Sequence, residues 1–239
     1  MALLVVGDGC LRQAISDRLS KEGVGWATAA ADSDDLFGDA RGHRAIIYAP
    51  AASLLEGGQQ PQPDTDRTLT VLHAAEAPGV EVVVLVLPQG DGYRPEIDAV
   101  ARYGKPYVVL RAPLLIEEVA EELRAEPGGS VWLPRLGRVA ATRAESVAES
   151  VAHATQTEEQ GRVVDLPGDE VDAATLVLQA AQRAGIGLRV HALGSWVYRM
   201  LRPLLRWLWP RHSAVYQLAA RLFPELSDHK PRALLPADG

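Results

Sequence analysis

The chain has 239 residues, of which 47% are hydrophobic and 23% charged, and it contains a single cysteine, Cys10. This composition excludes a largely disordered chain, and one cysteine excludes both an intrachain disulfide framework and a cysteine zinc cluster. The formal net charge is −7, but residues 1–188 carry 28 acidic and 16 basic side chains whereas residues 189–232 carry 2 and 8. The acidic body argues against nucleic-acid binding, and the basic tail is a separate interaction surface.

The amino-terminal segment predicts a strand rather than a targeting signal. Residues 2–6 are uncharged and too short for a signal peptide, and no apolar run approaches the ~18 residues that a membrane-spanning helix needs. We therefore expect a cytoplasmic protein, and we expect no metal centre.

Apolar runs alternate with segments of helical spacing as far as residue 113. Strands are predicted at 2–6, 24–30, 44–50, 80–88 and 106–113. Helices are predicted from the first glycines to Leu19, at 66–77 and at 93–104, with a short helix or turn at 32–40 capped by Ser33 or Asp34 and a loop at 51–64. Continuously apolar strands indicate a parallel sheet covered on both faces, so we predict a doubly wound α/β domain whose ligands bind at the carboxyl ends of its strands.

The pattern changes after residue 112. A helix is predicted at 114–126, two short strands within 130–141, a helix at 144–156, and a strand, a turn and a helix ending at Gly185 within 161–185. We assign residues 112–190 as small substrate-side elements of one domain, residues 1–190. Residues 191–239 form a separate helical tail in this interpretation.

The segment after the first strand has features of a phosphate-binding loop. Gly7 permits a tight turn, and Gly9 permits close approach of the backbone to a pyrophosphate at the helix N-terminus. Arg12 occupies the third position of G-x-G-x-x-G, where it loses close packing but offers a guanidinium to phosphate. The predicted cofactor contacts in this loop are Gly7, Asp8, Gly9, Cys10, Leu11 and Arg12. A tight turn without a ligand is the alternative.

A candidate ribose contact follows the second predicted strand. The fold calls for an acidic residue there, or for a basic residue when the ligand carries a 2′-phosphate. Asp32 is the candidate, although it comes late, and no arginine lies close to it. Too few residues follow for a full helix and strand, so part of the adenosine half is expected to be missing. NAD and NADP both remain open as the cofactor, as does the loss of binding.

In this order, the segments resemble the extended and atypical short-chain dehydrogenases, especially the NmrA-like group that binds NAD(P). The resemblance covers residues 2–190 and rests on VVGDGCLRQAISDRL, HRAIIYAPA, TLTVLHAAEAPGVEVVVLVLP, EIDAVARYGKPYVVLRAP, RVAATRAESVAESVAHA and GRVVDLPGDE. It implies a Rossmann-like fold and an oxidoreductase ancestry. It also implies that Ala49, Pro50 and Leu87 line the cofactor.

The catalytic pattern of that family is not found in this sequence. The family uses Tyr-x-x-x-Lys, in which the lysine lowers the pKa of the tyrosine, and a serine after the preceding strand. The residues four before the three lysines are Asp17, Ala101 and Leu226. Residues 87–89 read Leu-Pro-Gln where the serine is expected. Tyr93 is followed by Ile97 instead of a lysine, so we expect it to line a pocket rather than catalyse, and Glu96 matches the family's helix glutamate.

Residues 193–209 form an amphipathic, basic pattern rich in tryptophan. Apolar residues from Leu193 onward recur at helical spacing, with arginines on the opposite face, and Pro203 starts a second helix in this interpretation. One interpretation is a helical cap over the substrate end. A protein partner or homodimer interface over 193–223 is the second, and peripheral membrane contact is the least favoured.

The preferred interpretation is a pseudoenzyme, which binds NAD(P) and acts as a sensor or scaffold through its tail. The first alternative is an active NAD(P)-dependent reductase, epimerase or isomerase whose site uses Tyr93, His73 or the tail. The second is a structural subunit with a vestigial phosphate loop.

Overall fold

The structure is a computed structural model that describes residues 2–50, 65–124, 129–134, 138–156 and 161–194. Its strands are β1 Ala2–Gly7, β2 Gly25–Ala29, β3 His43–Ala49, β4 Val82–Pro88, β5 Tyr107–Ala112, β6 Leu114–Leu115, β7 Gly129–Pro134, β8 Val139–Thr142, β9 Arg162–Asp165, β10 Asp169–Val171 and β11 Leu188–Leu193. Its helices are α1 Gly9–Lys21, α2 Leu36–Ala40, α3 Thr65–Ala74, α4 Arg94–Arg102, α5 Ile116–Leu123, α6 Ala144–Ala154 and α7 Ala173–Ala184, with a 3₁₀ turn at Asp91–Tyr93.

The chain divides into two compact units. Unit 1 comprises residues 1–115 and 142–168, and unit 2 comprises residues 116–141 and 169–239. The boundary expected after residue 190 falls close to the end of the described residues and stays a prediction. The loop expected at 51–64 and residues 195–239 of the tail lie outside the described residues.

A six-stranded sheet forms the centre of unit 1. Its strand order is β2-β1-β3-β4-β5-β9, and every neighbouring pair is parallel. The carboxyl ends of these strands therefore lie along one edge of the sheet. The predicted α/β fold with a parallel sheet is confirmed.

The apolar strands supply two cores because successive side chains point to opposite faces of the sheet. On one face, Val5, Ile47 and Val84 belong to a cluster with residues of α1 and α6. On the other face, Leu4 and Ile46 belong to a cluster with residues of α2, α3 and α4. Both faces of the sheet are thus covered by helices, as the continuous apolar runs predicted.

The strand order reverses between β1 and β3. From β1 the chain passes outward to β2, and then returns through the five-residue helix α2 to β3 on the other side of β1. Ligands of open α/β sheets bind at such a switch point, outside the carboxyl ends of the strands. In the described part of the chain no strand pairs with the outer edge of β2, which agrees with the predicted shortening.

Unit 2 contains two packed helices and two small strand pairs. Helix α5 packs against α7, β7 pairs in parallel with β11, and β10 pairs antiparallel to β8. Arg183 of α7 lies 3.1 Å from a carboxylate oxygen of Glu117 of α5. The Asp172 side chain caps α7 by accepting from the N–H of Thr175, and Gly185, at φ 70°, ends the helix as predicted.

Three local predictions were wrong. Residues 191–193 belong to β11, so the helical pattern assigned from Leu193 does not begin there. The cap of α2 is Asp35, which accepts from the N–H of Gly38, rather than Ser33 or Asp34. The helix expected from residue 114 begins at residue 116, after the two-residue strand β6.

Within the described ranges, no helix is both long enough and apolar enough to cross a membrane.

Candidate functional site

The loop between β1 and α1 is held against the end of β3. Gly7 has a φ of 136°, a backbone conformation that side-chain-bearing residues rarely adopt. A Cβ on Gly7 would lie 2.7 Å from the carbonyl carbon of Ala49 and closer still to its oxygen. This close contact requires a glycine whether or not a ligand binds.

Gly9, the first residue of α1, also has a positive φ, 75°. Apart from its chain neighbours and the backbone of α1, no atom of the described residues lies within 4 Å of a Cβ built on it. The side chain of Asp8, the N-cap residue, makes no capping hydrogen bond to α1, and no acidic residue lies in the first turn. The N-cap side chain therefore does not cap the start of α1, which is the positive end of the helix dipole.

Arg12 forms an ion pair with Asp8 in the same loop. The nitrogen and oxygen atoms are 3.5 Å apart, and the side chains are 36% and 61% exposed. An exposed pair of this kind contributes about 0–1 kcal/mol, so an anion can readily replace Asp8 as the partner of Arg12.

The next two loop residues support the loop from inside. Leu11 is buried in the core between the sheet, α1 and α6, and Cys10 is half-buried against the same cluster. The Leu11 side chain therefore belongs to the interior rather than to a ligand surface.

Three further predicted contacts lie along the same edge of the sheet. Asp32 is exposed on the turn after β2, three residues beyond the end of the strand. Ala49 is buried at the end of β3, opposite Gly7, and the half-buried Pro50 follows it. The fold therefore brings these residues and the loop to the carboxyl ends of β2, β1 and β3.

Leu87 and Tyr93 lie in the core between the sheet and α3 and α4. Their exposed fractions are 2% and 9%. The Leu87 side chain is therefore not accessible to a cofactor. Tyr93 ends the 3₁₀ turn before α4, with its ring packed in this core, and Ile97 of α4 packs against the same cluster.

The side chain of Lys105 is hydrogen-bonded to the backbone of unit 1. Its Nζ donates to the carbonyl oxygens of Ala75 and Val80, which follow α3. The lysine thus ties the end of α3 to the segment before β5.

Three polar residues at the carboxyl ends of β4, β5 and β9 were not predicted as site residues. The side chain of Gln89 donates to the carbonyl oxygen of Leu166, and Arg111 donates two hydrogen bonds to Asp165. Arg111 lies near the end of the apolar strand β5, in the LRAP segment, which is a weak signal. Nothing in the sequence indicates its partner, because β9 lies more than fifty residues further along the chain.

Glu96 is a buried carboxylate in the first turn of α4. It is 1% exposed, and one of its oxygens accepts from the hydroxyl of Thr65 at 3.2 Å. Its other oxygen, Oε2, is buried and has no hydrogen-bond partner among the described residues. Such an orphaned buried acceptor is rare in folded proteins.

Two titratable groups outside the predicted site have raised pKa values. Burial, reinforced by the charge of Glu117, raises the pKa of Glu118 in α5 to about 8. Burial, reinforced by the Glu76 carboxylate, raises the pKa of Tyr103 to about 12.

In the described ranges, no group of three or more His, Cys, Asp or Glu side chains is placed to hold a metal ion.

No protein-family model and no curated protein matches this sequence. Solved structures do resemble it. A nucleoside-diphosphate-sugar epimerase from Staphylococcus aureus superposes with a TM-score of 0.59 at 12% identity, covering 96% of this chain and 92% of that chain. The fold is Rossmann-like.

Two further structures resemble the chain to a similar degree. UDP-glucose 4-epimerase from Thermus thermophilus, in complex with NAD, has a TM-score of 0.56 at 16% identity and covers 81% of this chain and 86% of that chain. An NADPH-dependent quinone oxidoreductase from Escherichia coli, complexed with NADPH, has a TM-score of 0.53 at 16% identity, with coverages of 93% and 87%. At these identities the likeness establishes the fold and nothing finer.

Proposed function

We propose that the protein binds a nicotinamide dinucleotide, NAD or NADP, and uses it as a sensor or scaffold rather than for catalysis. The observation that carries this proposal is the start of α1 at Gly9, which lies at the β1/β3 switch point and receives no capping hydrogen bond from the side chain of Asp8. Structures of the same fold that contain NAD or NADPH support it.

The residues of the loop fit a pyrophosphate. The first N–H groups of α1 would donate to its oxygens, and the helix dipole favours the negative charge. Arg12 would leave its ion pair with Asp8 and bind a phosphate oxygen instead. Asp32 would accept a hydrogen bond from a ribose hydroxyl. The segment at Ala49 and Pro50 would lie along the cofactor. The bound group would supply hydride chemistry if the protein had residues to use it.

The residues around β4 argue against the standard dehydrogenase reaction. That reaction needs a tyrosine whose phenol exchanges a proton with the substrate and a lysine beside it. Tyr93 is buried, Ile97 stands at the lysine position, and Lys105 is bound to backbone carbonyls. The cofactor would therefore be held without the usual proton donor.

A reductase or epimerase with a non-standard site is the second candidate. Solved epimerases and an oxidoreductase of the same fold favour it. Glu96 is 1% exposed and cannot contact a substrate, so the acid and base would have to come from other residues. This candidate requires NAD(P)H-dependent turnover of a substrate. Its absence with ketone and nucleotide-sugar substrates would exclude the candidate.

The proposal is tested by titrating the full chain with NADH, NADPH and their oxidised forms. Nicotinamide fluorescence and calorimetry measure the binding. We expect micromolar binding of at least one form. Gly9→Glu should abolish it, because a bulky anion would occupy the pyrophosphate position. Gly23→Glu is the matched control. Gly23, just beyond the other end of α1, also has a positive φ (70°), and apart from its chain neighbours no atom of the described residues lies within 4 Å of a Cβ built on it.

Equal binding by the Gly9 variant and the control would refute the site, and no binding at millimolar cofactor would refute the function. In that case the protein is an interaction module with a vestigial loop.

We further propose a cytoplasmic location and a partner or homodimer interface over residues 193–223, with membrane contact less favoured. Sedimentation shows whether the protein is a dimer and whether the dimer depends on this segment. The full chain is compared with a variant in which Arg199, Arg202 and Arg206 are changed to glutamate. An unchanged sedimentation coefficient in a dimeric protein would place the interface elsewhere.

A further inference from the structure

The side-chain amide of Gln89, which follows β4, is held in one orientation. Its Nε2 lies 2.8 Å from the carbonyl oxygen of Leu166 and 3.4 Å from that of Arg111. A carbonyl oxygen can only accept, so the NH₂ group rather than Oε1 faces these two atoms. Oε1 consequently points away from both carbonyls.

Further hydrogen bonds join the segments that carry the two carbonyls. The backbone N–H of Gln89 donates to Ala112 at 2.8 Å, and that of Leu166 donates to Arg111 at 2.9 Å. The Arg111 guanidinium donates to both carboxylate oxygens of Asp165, at 2.5 and 2.6 Å. The ends of β4, β5 and β9 are thus one hydrogen-bonded unit, and Gln89 cannot turn without breaking its contacts.

This arrangement leaves Oε1 of Gln89 as a fixed acceptor. Gln89 is exposed, and among the described residues no group donates to its Oε1. Since β3 alone separates β4 from β1, Gln89 follows the sheet edge two strand spacings from the phosphate loop, roughly 10 Å.

We propose that Oε1 of Gln89 accepts a hydrogen bond from the carboxamide NH₂ of a bound nicotinamide dinucleotide, which makes Gln89 a specificity-determining residue. The inference rests on the proposed function, because it needs the pyrophosphate at Gly9 and the cofactor running along the strand ends toward β4. A preorganised acceptor binds a donor with little further loss of side-chain freedom.

Binding of a cofactor analogue tests this contact. In 3-acetylpyridine adenine dinucleotide a methyl ketone replaces the carboxamide, so the NH₂ donor is lost. The wild-type protein should bind NAD⁺ about 2–10-fold more tightly than the analogue, which corresponds to one net hydrogen bond. Gln89→Met, which keeps the length of the side chain, should bind both with equal Kd.

The control is Gln13→Met, an exposed glutamine on α1 whose Nε2 donates to Asp17. It should retain the preference for NAD⁺. Equal binding of both dinucleotides by the wild-type protein would overturn the inference without any variant, as would a preference that survives in Gln89→Met. Failure to bind either dinucleotide refutes the proposed function as well, so the two failures are distinguishable.

Discussion

Gly7 and Ala49 lie opposite each other in the register of β1 and β3, and their backbones are so close that no Cβ fits between them. This contact joins the loop between β1 and α1 to the third strand at the switch point. The loop geometry is therefore part of the packing of the sheet.

Gly7→Ala should destabilise the protein more than Gly90→Ala does. Gly90 has a similar φ, 146°, but apart from its chain neighbours no atom of the described residues lies within 4 Å of a Cβ built on it. The two glycines therefore share the backbone strain, and only Gly7 adds a steric clash. We expect the loss in unfolding free energy to be larger by about 1–3 kcal/mol at Gly7, as for overpacking. Urea denaturation measures it, and equal losses would contradict the close contact.

Asp32→Ala should weaken NADH binding about 2–10-fold, which corresponds to the loss of one ribose hydrogen bond. Asp34, exposed on the same turn, is the control for a general change in charge. Calorimetric titration of both variants gives the comparison. Equal weakening by Asp34→Ala would mean that the turn acts only through its charge.

Lys105→Met should lower the unfolding free energy by about 1.5–3 kcal/mol, because two backbone carbonyls lose a charged donor. Lys21, exposed at the end of α1, provides the control, and Lys21→Met should have little effect. Neither substitution should change the Kd for the cofactor. Weaker binding by the Lys105 variant alone would indicate a role beyond structure.

Glu118→Gln should stabilise the protein at alkaline pH. The pKa of Glu118 is raised from 4.5 to about 8, so between these values the folded state binds more protons than the unfolded state, and stability falls as pH rises. The penalty is absent below this window and complete above it. The urea midpoint of the variant should exceed that of the wild type clearly at about pH 9 and only slightly at about pH 5.

Glu122, exposed on the same helix, is the control for this pH dependence. Glu122→Gln should follow the wild-type curve. A stabilisation by Glu118→Gln that does not vary with pH would show that titration of this carboxyl is not the cause.

The parallel sheet could be predicted because its central strands are continuous apolar runs that supply a core on each face. Strand β11 could not be predicted in this way. Its sequence, LRVHAL, places charged and polar residues among apolar ones, and it forms a strand by pairing with the distant β7. The helical pattern assigned to the tail begins at Leu193, the last residue of β11, and this overlap obscured the strand further.

The loop between β1 and α1 could be located from its glycines, but their separate structural roles could not. Gly7 is required by Ala49, a residue of another strand, whereas among the described residues no such neighbour restricts Gly9. The contacts of Gln89 likewise depend on β9, which the chain reaches only after passing through unit 2. Local patterns do not contain such long-range contacts.

Unit 1 is completed by a segment that is synthesised late. Strand β5 ends at Ala112, but its neighbour β9 and the helix α6 that packs on α1 come from residues 142–168. A nascent chain that stops at residue 115 has an unpaired edge on β5 and an uncovered apolar face on α1. The sheet can therefore be finished only after residue 168 has left the ribosome, and an amino-terminal fragment cut at the unit boundary will aggregate instead of folding as an independent domain.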